Sequence, residues 1–339
     1  MDPVSHVVLG ASLAHAAFAR RLGRAAAAAG GLAALLPDAD IFIRSAQDPL
    51  VAIEYHRGFT HALIFVPLGA ALVAGLWLLS PAWRRRDRWW PLWAAAALAY
   101  LSHTLLDAAT SYGTQLLWPF SPHRSGWDLI SIIDPIFTLV LAAGLILALR
   151  RCTLIPAGVG LGVAAVYLGC GAVQHGRALA AQRELAEARG HRIERCEMMP
   201  TMANNVVWRG LYVHEGRIYS DRIRVGWFSR PQTRGGWSLP ATDAAALSPS
   251  EQARNHRRSF ERFSWFSEGW VARHPADPTM LADMRYSLSA EAFDPIWGIR
   301  FTAPSAPTEV EWINRSRDRR VDVGDMWREI TGRDERYGQ

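Results

Sequence analysis

The chain has 339 residues, half of them hydrophobic, with 15 Trp and no fixed-period self-similarity, which excludes the disordered and repeat classes. All 37 basic side chains are Arg, set against 31 acidic ones, and the mean hydropathy is zero. That zero averages two unlike halves: Ala, Leu, Val, Gly and Trp dominate up to Val173, and charges recur every few residues beyond it. Cys152, Cys170 and Cys196 are widely spaced with no C-x-x-C, which argues against a disulfide framework or a thiolate zinc site. The pI near 9.6 does not make nucleic acid an expected partner, because the basic clusters of the first half sit beside apolar runs where membrane topology accounts for them.

In chain order, two short apolar segments come first, Val4 to Ala19 and Ala25 to Leu36, both marginal for a hydrocarbon core of ~30 Å. Four longer runs read as spanning helices: Ala62 to Ser80, Leu92 to Leu106, Ile130 to Leu149 and Leu154 to Val173. The Arg-rich turns at Arg20, Arg21 and Arg24, at Arg84 to Arg88, and at Arg150 and Arg151 alternate with Arg-poor loops. By the positive-inside rule the Arg-rich turns are cytoplasmic, placing residues 37–61, 107–129 and everything after Val173 in the periplasm or exterior. The second half reads as a polar amphipathic connector helix leaving the membrane, Gln174 to Cys196, then a hairpin of 206–213 and 217–228 around His214-Glu215-Gly216. A helix at 249–271 and strands at 284–288 and 297–303 follow. The expected architecture is mostly α: a polytopic helical membrane domain (1–175) followed by a smaller soluble α+β domain (176–339) on the non-cytoplasmic side.

Polar residues inside apolar segments call for a reason, because a charge at the centre of a spanning helix costs ~2.5–3.5 kcal/mol on insertion scales. They are His6, Asp38, Asp40, His56, His61, His103, Asp107 and Asp134. His103 and Asp107 are four apart on one helix face, so both reach one ion. Singly, each has a plain reading: a satisfied polar pair, a helix end at Asp38 and Asp40, or a helix start at Asp134-Pro135. Together they predict a His/Asp metal centre suited to Zn, Mn or Fe. Arg57 and Arg124 are candidates to hold a substrate phosphate, or are plain loop arginines, and Ser111, Tyr112 and Thr114 could line the mouth of the pocket.

MDPVSHVVLGA, PDAD, HRGFTH, the H-x3-LD run continuing into TSYGTQLLWP, and IIDP together resemble the YdjM family of bacterial inner-membrane metal-dependent hydrolases, over residues 1–175. The resemblance implies a distant relation to the zinc-dependent phospholipase C and single-strand nuclease superfamily, and hence two or three zinc ions. It implies His6, Asp38, His56, His103 and Asp107 as ligands, with His61, Asp40 and Asp134 as ligands or general base. The expected function is hydrolysis of a phosphoester or related ester in a lipid-linked substrate at the inner membrane. The alternatives are a transporter or metal-handling protein, or a catalytically silent scaffold.

Overall fold

The computed structural model describes residues 1–80, 88–252, 254–287, 293–303, 305–318, 322–334 and 336–337. They fall into two compact units. The first comprises Met1–Phe42, Tyr55–Val173 and Met202–Asn205; the second comprises Ile43–Glu54, Gln174–Thr201 and Val206–Gln339.

In the first unit, α1 (Pro3–Leu22) starts where the Asp2 side chain accepts from Ser5 N and Pro3 supplies a pre-set first turn, and it stops at Gly23 with φ 61°. Helix α2 (Ala25–Ala33) folds back onto it, and small residues make the contact possible. A Cβ on Gly30 would stand 2.4 Å from Ala14 Cβ and 2.6 Å from the Gly10 carbonyl oxygen, so the two backbones touch there. After Pro37–Phe42, a 3-10 turn, the chain contributes Ile43–Glu54 to the second unit, with most of α3 (Val51–Tyr55), and then resumes the first with the short 3-10 turns Phe59–His61 and Leu63–Phe65 and α4 (Val66–Leu78). Helix α5 (Trp89–Ala108) packs on α1, α2 and α4, burying Leu92, Ala95, Ala96 and Ala99 against Ala14, Ala29, Ala33 and Ala74. Asp134 caps α6 (Pro135–Arg151) by accepting from Ile136 N and Phe137 N. Helix α7 (Ile155–Ala188) follows.

The expectation of a polytopic helical membrane domain is overturned. Only α7, at 34 residues, is long and apolar enough to cross a bilayer among the described residues. A second candidate exists only if Val51–His61 and Leu63–Leu78, bent by 58°, form one broken span. Helices α4 and α6 have 13 and 17 residues, a rise of about 20 and 26 Å against a core of ~30 Å. Helices α1 and α5 reach 20 residues, but they bury Ser5, His6, Ser12 and His15, and His103, Thr104 and Asp107, inside the unit. Without the spans, the side derived from alternating Arg turns has no basis, and Arg84, Arg85 and Arg86 lie outside the described residues. Nor is the chain mostly α, being about 50% helical and 17% strand.

The second unit holds two antiparallel sheets. In the first, β1 (Arg195–Pro200), β2 (Val207–His214), β3 (Arg217–Arg224) and β4 (Gln232–Arg234) follow in order, and β5 (Ser238–Pro240) also pairs with β3. The expected hairpin forms between β2 and β3, its turn made by Glu215 and Gly216, both at positive φ, as a two-residue primed turn requires. After α8 (Arg254–Phe266), the second sheet runs β6 (Val271–His274), β7 (Asp277–Asp283), β8 (Trp297–Phe301) and β9 (Val310–Asn314). Helix α9 (Val323–Thr331) follows.

Met199, Leu211 and Ile218 of the first sheet share a core with Trp270, Ala272, Met280 and Ala282 of the second. The helix expected from Gln174 forms as the continuation of α7 to Ala188, and the strand expected at 284–288 is a turn with an isolated bridge from Ser287 to Pro295, with Leu288 outside the described residues. Its apolar residues serve the end of β7 and the chain reversal after it.

Arg285 lies fully buried in this unit, clamped on Asp283 and on the Phe266 carbonyl, with Glu268 at 3.0 Å. Its partner Asp283 is equally buried, so Arg285→Ala strands a carboxylate and should cost about 3–5 kcal/mol. In the first unit Gly30→Val drives two backbones apart and should cost about 1–3 kcal/mol. Thermal unfolding in detergent, each variant beside wild type, checks both; unchanged melting would contradict the packing described.

Candidate metal centre

Three stretches converge in the first unit. The turn Pro37–Phe42, directly after α2, supplies Asp38 and Asp40. The turn after α3 supplies His56 and Arg57, and His61 closes Phe59–His61. Helix α5 presents His103 and Asp107 one turn apart. The HRGFTH run makes its reversal at Arg57, whose φ of 58° is unusual for a side chain of that size. The strain is held by the Arg57 backbone N–H, which donates to Asp40 Oδ2 at 2.8 Å.

Asp38, His61, His103 and Asp107 turn one donor atom each toward a common point. His61 Nε2 is 3.0 Å from His103 Nε2, 3.2 Å from Asp107 Oδ2 and 3.5 Å from Asp38 Oδ1. His103 Nε2 is 3.4 Å from Asp107 Oδ2 and 3.6 Å from Asp38 Oδ1. Donors around a tetrahedral Zn at ~2.0–2.2 Å would stand about 3.3–3.5 Å apart. The five edges given run from 3.0 to 3.6 Å, close to that length.

The surrounding hydrogen bonds fix which atoms face inward. His103 Nδ1 donates to the Ala34 carbonyl at 2.7 Å, leaving the lone pair on Nε2. His61 Nδ1 lies 3.2 Å from Asp40 Oδ2 and 3.1 Å from Thr60 Oγ1, which places its proton on Nδ1 too. The two Nε2 atoms therefore point at each other, and both rings are fully buried. Asp107 completes the pattern: its Oδ1 takes the Met1 amino group, His6 Nε2 at 3.0 Å and Arg57 Nη2 at 2.9 Å, while its buried Oδ2 has no hydrogen-bond partner. Burial alone would push His61 down, but its hydrogen bonds to Asp107, Asp38 and Asp40 push it up to about 10, so without an ion its Nε2 carries a proton among these atoms, the place a metal cation would take. The residues present fit a metal ion.

Asp40 is the organiser of the outer ring. It accepts from His56 Nδ1 at 2.9 Å, Arg57 N at 2.8 Å and Thr60 Oγ1 at 3.1 Å as well as from His61. Burial alone would push its carboxyl up, but the donors from His56 and His61 outweigh it and hold Asp40 below the usual carboxylate range. Asp38 is also held low, where burial is outweighed by the hydrogen bond to His61 and the charge of His103.

Of the six metal candidates, the four above converge, whereas His6 and His56 stand one shell out, on Asp107 and Asp40. His6 also stacks on His103, ring centroids 3.6 Å apart. Arg57 donates to Thr110 Oγ1 and lies over the Tyr112 ring, and Arg124 lies over the same ring while donating to the carbonyls of Gly113 and Tyr112. Ser111 and Thr114 are buried. Asp134 is engaged in capping α6 and accepts from Tyr167 Oη at 2.7 Å. The Ala34 carbonyl and Thr110 were not foreseen from sequence: a backbone acceptor leaves no residue-type signal, and Thr110 looks like any helix-end threonine.

A family model described as YdjM inner membrane protein matches residues 1–178. The inner membrane protein YbcI of Escherichia coli (strain K12) is 33% identical over 111 residues, 31% of this chain and 60% of that protein. The uncharacterized protein YfhP of Bacillus subtilis (strain 168) is 29% identical over 209 residues, 61% of each. The chain thus spans about three fifths of the length of these relatives. No solved structure matches.

Because Asp40 holds His61 by its outer nitrogen, Asp40→Asn should weaken metal affinity roughly 10–100-fold. Competition against a chromophoric chelator measures this, and an unaltered affinity would remove Asp40 from the outer ring.

Proposed function

The chain belongs to the YdjM inner membrane protein family, and from that premise we propose that its His/Asp centre is a hydrolytic metal site acting on a phosphoester or related ester of a lipid-linked substrate. The observation that carries this reading is the convergence of four donors, two imidazoles and two carboxylates, three of them buried, with the outer nitrogens of both rings held by the Ala34 carbonyl and Asp40. With nitrogen and oxygen donors, no thiolate and tetrahedral edges, Zn is the ion proposed, ahead of Mn or Fe. When bound there, the ion would lower the pKa of water and polarise a phosphoryl or acyl oxygen.

The chain's own residues divide the remaining work. His61, His103, Asp107 and Asp38 would hold the ion, and Asp38, with its side chain 20% exposed against none for the others, marks the side open to substrate. Asp40 already takes four donors, which suits it to orientation rather than to proton transfer. His56 suits proton transfer better: its Nδ1 is fixed on Asp40 and its side chain is 28% exposed, which leaves Nε2 as the atom proposed to pass a proton. Arg57 serves by neutralising Asp107 and fixing the turn that carries His56. A lipid-linked substrate is supported by the inner-membrane family and by α7. The wider relation to phospholipase C rests on motif resemblance alone.

Metal content by mass spectrometry on the full chain in detergent, wild type beside His103→Ala/Asp107→Ala, tests the centre. Bound Zn in wild type, lost in the double variant, with hydrolysis of phosphatidylglycerol or a polyprenyl phosphate abolished by chelator, is the expected result. Wild type that takes up neither Zn nor Mn would sink the proposal; metal retained without hydrolysis of any ester would favour the metal-handling alternative. His56→Gln should keep the metal and lose roughly 10²–10⁴-fold in kcat, and an undiminished kcat would remove it from proton transfer.

A further inference from the structure

Helix α7 carries no charged residue from Ile155 until Arg177, and Ile155, Val159, Val163, Val166 and Val173 on it are exposed. It is the described helix that meets the requirements of a membrane span by itself. Where its apolar stretch ends, α7 enters the second unit, and the first side chains of that part hold one particular loop. Gln174 Nε2 donates to the Val225 carbonyl at 2.6 Å, and Arg177 Nη2 donates to the Ser229 carbonyl at 3.2 Å. Val225 itself is fully buried in a core with Ala178, Ala181, Trp208 and Ile223. The loop is therefore held by the first turn of the part of α7 that belongs to the second unit.

At the tip of this loop stand Trp227 and Phe228, 43% and 105% exposed. Gly226 allows the tight turn: a Cβ there would lie 2.2 Å from Ser229 Oγ. Arg230 follows after Ser229, and Arg177 lies at the base of the loop. A fully exposed Phe beside a Trp, rimmed by arginines and tied to the exit of a spanning helix, has the composition of an interfacial anchor. Aromatic rings favour the headgroup level, and arginine pairs with anionic lipid there.

We propose that the loop Gly226–Arg230 inserts Trp227 and Phe228 into the headgroup region of the bilayer that α7 crosses, with Arg177 and Arg230 on anionic lipid phosphate. The loop is a second membrane contact, separate from the metal centre and from any reaction there. Trp237 supplies the contrast. It is 60% exposed as well, but its neighbour Gly236 bonds Asp221, the partner of Arg189 just past the far end of α7, about 18 Å of helical rise beyond Arg177. It should stay in water.

The test uses the full chain with Cys152, Cys170 and Cys196 replaced by Ser, reconstituted into vesicles of phosphatidylethanolamine and phosphatidylglycerol. An environment-sensitive fluorophore is attached at Phe228→Cys or, separately, at Trp237→Cys; both side chains are exposed and make no core contact, so each variant should fold. A blue-shifted label at 228 that is quenched by bromine-bearing lipid chains and shielded from iodide, beside a water-like label at 237, is the expected result. A water-like label at 228 overturns the proposal. Equal shielding at both sites overturns it too, since the unit would then lie on lipid without a dedicated anchor.

Discussion

A carboxylate with no access to water has to be neutralised from every side, and Asp107 sets that condition for the first unit. One of its oxygens gathers α1 through His6 and the Met1 amino group, and the HRGFTH turn through Arg57. The other faces His61 and His103 with no hydrogen bond. Without an ion a proton on His61 stands beside that oxygen, so metal binding here would release a proton and its affinity would fall as pH falls. The glycine contact of α1 with α2 serves the same site. It brings the Ala34 carbonyl, just past α2, to the outer nitrogen of His103.

Outside the ligands, the geometry rests on a turn built under strain. Arg57 adopts a left-handed backbone because its N–H reaches Asp40 there and its guanidinium reaches Asp107. One residue thus ties the two carboxylates that organise the inner and outer rings, and His56 and His61 take their places on either side of it. Such over-determination is what allows an unfavourable conformation to persist at a site.

The second unit solves a different problem. Its two meandering sheets close a shared core on Trp270 and Met280, and its buried charges are matched in pairs, as at Arg285 with Asp283 and Arg222 with Glu329. Both paired carboxylates are nearly water-free, so these clamps specify the packing more than they stabilise it. None of this surrounds a donor set like that of the first unit; among the described residues, metal-compatible convergence occurs there alone.

The sequence by itself determined the residues that could carry metal chemistry, the family, and the β2–β3 hairpin, because each is written in residue identity at short spacing. His103 and Asp107 must share a face when four apart on a helix, and Glu215-Gly216 must turn where both residues need positive φ. Tertiary structure decided which apolar runs are spans, since hydropathy cannot tell a helix buried by its neighbours from one buried by lipid. It divided the polar set as well, putting His61 among the donors, His56 and His6 outside them, and Asp134 at a helix cap. Those assignments turn on which nitrogen or oxygen is already engaged, and they are fixed only when distant segments such as Ala34, Asp40 and Thr60 arrive to engage it.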